Sequence, residues 1–141
     1  MDVTLEFRRP RMGDLGFVTD LYARPEVVEL TRVRLERDMA HWEAHGFGRW
    51  AVAGGGVPVG FGGLTVVEAS LDLNISYHVH PHAWGRGIAS AIAAHAVAHG
   101  FGDLGATRIR GLVRAANPAS ARVLVKLGFR ADGVVTLHGA P

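Results

Sequence analysis

Ten residues of strict alternation mark the clearest element of this chain. Leu71 to His80 reads Leu-Asp-Leu-Asn-Ile-Ser-Tyr-His-Val-His. Successive strand side chains point to opposite faces, so Leu71, Leu73, Ile75, Tyr77 and Val79 share one side. Asp72, Asn74, Ser76, His78 and His80 share the other. The pattern predicts a strand with one apolar and one polar face. Other segments follow in order. Val3 to Arg8 alternates and reads as a first strand, broken by Pro10. Leu15, Val18, Leu21 and Tyr22 suit one face of a helix from Met12 to Tyr22. Pro25 opens a new segment, and Leu35 to His45 reads as a second helix ending near Gly46. A short strand follows around Trp50 and Val52, then a turn at Gly54 to Gly56. Val57 to Val67 is the next strand, with Gly62 and Gly63 as a candidate bulge. Past Pro81 come a glycine-bearing loop, an alanine-rich helix from Ile88 to Phe101, and a strand from Arg108 to Val113. Asn117-Pro118 opens a last helix, since asparagine caps and proline suits the first helical position. That helix stops at Gly128, and a final strand begins at Phe129. Interleaved strands and helices with no repeat or linker predict one mixed α/β (α+β) domain over residues 1–141.

Composition narrows the classes of function. At 141 residues and 48% hydrophobic, the chain can bury a core and is not expected to be disordered. No apolar run approaches the roughly 18 residues of a membrane span. The start, MDVTLEFRRP, lacks the basic and apolar regions of a signal peptide, so a cytoplasmic location is expected. The absence of cysteine excludes disulfides, thiolate catalysis and cysteine–zinc sites. All but one of the fifteen basic residues are arginine, the exception being Lys126. That bias fits a GC-rich genome, or phosphate binding through bidentate guanidinium contacts. The net charge is +2 without a basic run interleaved with aromatics, so neither a nucleic acid nor a membrane partner is expected.

The chemistry points to Tyr77-His78-Val79-His80-Pro81-His82-Ala83-Trp84-Gly85-Arg86-Gly87-Ile88-Ala89, a strand, loop and helix start. A helix that begins in a glycine-rich turn offers free N–H groups to an anion such as a pyrophosphate. Gly85 and Gly87 would let that backbone come close, and Arg86 could add charge. A loop whose glycines serve only for turning reads equally well from these residues alone. Neither the dinucleotide fingerprint nor the lysine-ended phosphate loop fits.

Two stretches resemble signatures of the GCN5-related N-acetyltransferases. Trp84-Gly85-Arg86-Gly87-Ile88-Ala89 is similar to that family's acetyl-CoA pyrophosphate loop. Asn117 to Phe129 is similar to its second signature, and the spacing between the two fits. Gly46-Phe47-Gly48-Arg49-Trp50-Ala51-Val52 resembles the second strand of the branch that acetylates ribosomal-protein N-termini and related amines. The likeness runs from the first strand to about residue 135. It implies a mostly antiparallel mixed sheet flanked by helices, with splayed central strands. Acetyl-CoA would lie in that splay. Tyr77, His78 and Val79 would hold its pantetheine arm, Trp84 to Ile88 and Ala89 its pyrophosphate, and Asn117 would contact the arm or serve as a plain helix cap. The activity implied is acetyl transfer to a primary amine, either a protein N-terminus or a small molecule, by direct attack.

Direct attack needs a deprotonated amine, an oxyanion donor and a proton for the departing thiolate. The donor would be the N–H of Val79 or His78. Ser120 matches the position of a serine acid, or is an ordinary first-turn serine. For the base, Asp72, His78 and Glu68 are candidates, as is water held near Asn74. His78 has the most suitable reference pKa, about 6.5. Many members carry glutamate where this chain has Asn74, which keeps a second reading open: an acyl-CoA-binding or sensing domain without catalysis. The histidine pairs, including His41 with His45 and His95 with His99, lack carboxylate partners, and no metal site is expected. In the resembling family a further strand follows the one that begins at Phe129. Four residues after Leu137 cannot supply it. The open edge would then be covered by a second copy in a homodimer, or residues 130 to 137 would stay irregular.

Overall fold

A computed structural model describes residues 4–22, 28–113 and 118–131 of the chain. Among these residues five strands form one sheet in sequence order: β1 (Leu5–Arg8), β2 (Arg49–Gly54), β3 (Val57–Val66), β4 (Leu73–Val79) and β5 (Ile109–Arg110). The first four pair antiparallel and β5 runs parallel to β4. Four helices accompany them: α1 (Leu15–Tyr22), α2 (Val28–His45), α3 (Ile88–Ala98) and α4 (Pro118–Lys126). This is the mixed, mostly antiparallel α/β sheet expected from the sequence.

Each face of the sheet carries its own core. Trp50, Val52, Val59, Leu64, Leu73 and Ile75 pack with Ile88, Ile92, Ala93, Ala96 and Leu124 on the α3/α4 side. Ala51 and Phe61 pack with Val18, Leu21 and Leu35 on the α1/α2 side. Burying both faces is what a sheet with a parallel pair requires. Alternation alone would put Val59 on the same face as Phe61. It lies on the other, because the register shifts by one residue: Val52 faces Gly60 while Ala53 faces Pro58. The bulge therefore sits at Val59 and not at Gly62-Gly63, where pairing to Tyr77 and Ser76 is regular. Those glycines serve close approach instead. A Cβ on Gly62 would meet the Ser76 carbonyl oxygen at 2.6 Å and Tyr77 Cα at 2.7 Å.

Several boundaries differ from the sequence reading. Helix α2 starts at Val28, a turn and more before Leu35, since Thr31, Leu35 and Asp38 form one buried stripe. The segment before α1 is a short 3₁₀ turn at Met12–Asp14, and α3 ends at Ala98 in a wider turn, His99–Asp103. Leu71 is 87% exposed, so strand β4 begins only at Leu73. Strand β5 is two residues long where six were expected. At Gly111 an added Cβ would lie 2.9 Å from Leu124 Cδ1, so α4 packs directly against the chain where it leaves the sheet. Helix α4 closes on Gly128 at φ +96°, with the Phe129 N–H donating to the Leu124 carbonyl at 3.0 Å. Phe129 to Ala131 are not strand. The rest of the expected final strand, and Asn117, lie outside the described residues.

Candidate functional site

Strands β4 and β5 stay together only at Leu73–Ile109 and Asn74–Arg110, then part. The gap they leave is a cleft of about 140 Å³. Its walls are Ile75 to His78 of β4, the stretch Gly111 to Val113 after β5, and Ser120 and Leu124 of α4. Ile75 and Tyr77 belong to the α3/α4 face, Ser76 and His78 to the α1/α2 face. The cleft is therefore lined by residues of both sheet faces.

Backbone polarity follows from the register. The His80 N–H donates to the Val59 carbonyl at 2.8 Å, so even-numbered residues of β4 spend their amide groups on β3. Odd-numbered ones face β5, as Leu73 shows by donating to the Arg108 carbonyl at 3.0 Å. Past Ile75 no strand stands opposite among the described residues, so the N–H groups of Tyr77 and Val79 aim into the gap. Of the two oxyanion donors considered from sequence, Val79 fits this direction, while His78 pairs with Phe61. The Val79 carbonyl is taken by the indole N–H of Trp84 at 2.8 Å. That bond ties the glycine turn to the end of the cleft.

In the turn, Gly85 and Gly87 adopt left-handed backbone at φ +78° and +72°. Gly87 is the N-cap of α3 and has no side chain to satisfy the helix. The first intrahelical bond runs from the Ala91 N–H to the Gly87 carbonyl, leaving the N–H groups of Ile88, Ala89 and Ser90 pointing outward. Arg86 is exposed beside them. This donor set fits a diphosphate, and the cleft that leads to it fits an amide-bearing arm with N–H groups along one wall.

Ser120 sits across the cleft from β4. Its hydroxyl donates to the Tyr77 phenol oxygen at 3.1 Å, and that phenol donates to the Ser120 carbonyl at 2.9 Å. Burial raises the Tyr77 pKa above its ordinary value, partly offset by Ser120, so the phenol stays protonated. His78 is lowered to about 4. Loss of solvation is the main cause, although the residue still reaches solvent, and the charges of Arg49 and Arg34 add to it. The ring is neutral at pH 7 and a weaker base than the reference value suggests.

The other candidate bases lie elsewhere. Asp72 sits between Arg108 at 3.7 Å and Arg110 at 3.6 Å, beyond the closed end of the cleft. Asn74 is still paired with Arg110 and is not part of the cleft wall. Glu68 is exposed in the loop between β3 and β4. His80 and His82 brace the loop: His80 Nε2 contacts Asp20, its Nδ1 accepts from the His82 N–H at 3.2 Å, and His82 Nε2 reaches the Pro58 carbonyl at 3.1 Å. Sequence reasoning missed the Tyr77 phenol as Ser120's partner, and missed Arg49 and Arg34 as charges acting on His78. Neither group has a local sequence signal.

The family model of the GNAT acetyltransferase domain matches residues 4–130. The uncharacterized N-acetyltransferase YoaA of Bacillus subtilis (strain 168) is 41% identical over 61 residues, which make up 43% of this chain and 34% of that protein. An acetyltransferase from Agrobacterium tumefaciens str. C58 superposes with TM-score 0.82 at 20% identity, covering 98% of this chain and 89% of that one. The aminoglycoside N-acetyltransferase AAC(6')-Iy, solved in complex with CoA, superposes at 0.72 with 18% identity over 98% and 95% of the two chains. Matched over nearly its whole length by the domain model, and sharing the fold of these structures, the chain belongs to the GNAT acetyltransferase family.

Proposed function

We propose that this protein transfers the acetyl group of acetyl-CoA to a primary amine by direct attack. One observation carries the reading: the cleft between β4 and β5, with the N–H groups of Tyr77 and Val79 along its wall, leads to the glycine turn at the start of α3. Acetyl-CoA supplies the activated acyl thioester. The N–H groups of the Gly87–Ser90 turn, with Arg86, hold its diphosphate. The N–H groups of Tyr77 and Val79 orient the arm, and that of Val79 stabilises negative charge growing on the carbonyl oxygen. His78, neutral, accepts a hydrogen bond from the incoming amine and passes its proton to water. Asn74 acts at most through water beyond the closed end. As the N–C bond forms and the C–S bond breaks, Ser120 gives a proton to sulfur. Tyr77, still protonated, turns its hydrogen from the Ser120 carbonyl toward Ser120 Oγ and steadies the alkoxide until the proton that the amine gave to water returns to the serine.

A second reading, an acyl-CoA sensor without turnover, draws on the weak basicity of His78 and on Asn74 where many relatives have glutamate. Thiol release from acetyl-CoA across a panel of amines separates the two: binding without release for every amine would favour the sensor. A homodimer and a cytoplasmic location complete the proposal. The dimer draws on β5, which has no further strand beside it among the described residues. Light scattering at micromolar concentration tests it, and a strictly monomeric mass would exclude it.

A further inference from the structure

The indole of Trp84 makes one hydrogen bond, and it makes it to a group on the cofactor's path. Its N–H donates to the Val79 carbonyl at 2.8 Å. An indole N–H is a donor only, so the ring has no second bond to give. The ring is 67% exposed, whereas an indole that serves packing is mostly buried. The loop does not depend on this bond. Ala83 is buried, and its N–H donates to the His80 carbonyl at 2.8 Å. The Trp84 backbone N–H donates to the Pro81 carbonyl at 3.2 Å. His82 Nε2 reaches the Pro58 carbonyl at 3.1 Å, and His80 Nε2 contacts Asp20. With those contacts in place, the indole can leave Val79 while the backbone stays.

Val79 is an odd-numbered residue of β4, so its N–H and its carbonyl both face away from β3. The carbonyl leads on to His80 and lies toward the glycine turn. The N–H lies toward the cleft interior. An arm that enters from the turn therefore meets the carbonyl first. In acetyl-CoA an amide precedes the thioester along the arm. Its N–H matches the Val79 carbonyl when the thioester oxygen takes the Val79 N–H. The indole already holds that acceptor, from the side of the turn by which the arm arrives.

We infer that Trp84 is a latch: its indole N–H and the acetyl-CoA amide beside the thioester compete for the Val79 carbonyl, and the arm pairs in full with Val79 only when the indole turns away. The inference rests on the acetyl-transfer reading above. It makes Trp84 a positioning residue that sets how the thioester meets the Val79 N–H, without touching the reacting atoms.

The test joins indole NMR to calorimetry, with CoA as the probe. The chain has three indole N–H groups, at Trp42, Trp50 and Trp84. Trp42 donates to the Arg49 carbonyl at 2.8 Å and Trp50 is buried, so these two signals serve as controls. The Trp84 signal, assigned by its loss in Trp84→Phe, should move upfield and exchange faster with water when CoA saturates the protein. Trp84→Phe keeps a ring and vacates the carbonyl, so CoA should bind about threefold tighter or more, the scale of one net hydrogen bond. Trp84→Ala should tighten it too, which separates release of the carbonyl from any effect of the phenyl ring. Weaker CoA binding in both variants would make the bond a brace and overturn the latch. So would a Trp84 signal that keeps its shift and protection at saturation. Release of the indole with no thiol release for any amine would remove the catalytic reading and keep this one. Thiol release with an unmoved indole would do the reverse.

Discussion

The phenol of Tyr77 and the hydroxyl of Ser120 lie 3.1 Å apart, joining β4 to α4 across the cleft. The phenol also donates to the Ser120 carbonyl, so the two residues share a closed pair of hydrogen bonds. This clasp sets which way the serine hydroxyl faces and keeps α4 at a fixed distance from the splayed strand.

Removing either half of the clasp should therefore slow chemistry more than binding. General acids typically contribute about a hundredfold, so Ser120→Ala should lower turnover by that order. Tyr77→Phe keeps the ring and loses the bond, and should give a smaller loss. Acetyl-CoA affinity by calorimetry should stay nearly unchanged in both. Wild-type turnover for Ser120→Ala, under conditions limited by chemistry, would take the serine out of the mechanism.

At Gly87 the backbone requires φ +72°, a region L side chains avoid, although a Cβ there would meet open space. The cost of Gly87→Val is thus conformational and falls on the turn that presents the diphosphate donors. Acetyl-CoA affinity should weaken about tenfold or more. Unchanged affinity would place the diphosphate elsewhere.

His78 links pH to stability. Its pKa is about 4 in the folded protein, against about 6.5 when unfolded. Between those values the unfolded chain binds a proton that the folded chain does not. Stability should rise with pH through that window and fall as pH drops from 6.5 toward 4. Above 6.5 the ring is neutral in both states and contributes no slope. Denaturant midpoints should fall more steeply for wild type than for His78→Gln over this range, and imidazole NMR should titrate near 4. An inflection near 6.5 would show that the ring is not desolvated.

Gly62 carries the Tyr77 strand at close range. An added methyl would meet the Ser76 carbonyl oxygen at 2.6 Å and Tyr77 Cβ at 2.8 Å. Gly62→Ala should destabilise the fold by about 2 kcal/mol, the usual scale of overpacking. Thermal unfolding measures it, and a melting point equal to wild type would mean that β3 and β4 separate more easily than the packing implies.

The sequence by itself determined the order of elements, the two-faced character of β4, the glycine turn before α3 and the family. Each of these is written in short stretches: a two-residue period, a cap, a pair of glycines, a motif. It also brought forward Ser120, His78 and the Trp84–Ala89 turn as site residues. Tertiary structure alone decided what those residues touch. Tyr77 and Ser120 stand 43 residues apart and meet only because β4 parts from β5 and α4 packs at Gly111. The bulge fell at Val59, and not at the glycine pair, because both faces of β3 had to be filled at once. His78 lost its basicity mainly to loss of solvation, then to Arg49 from β2 and Arg34 from α2, none of which its neighbours in sequence supply. Local pattern reports on dihedrals and faces, whereas contacts between distant segments, and the solvation they remove, exist only once the chain has folded.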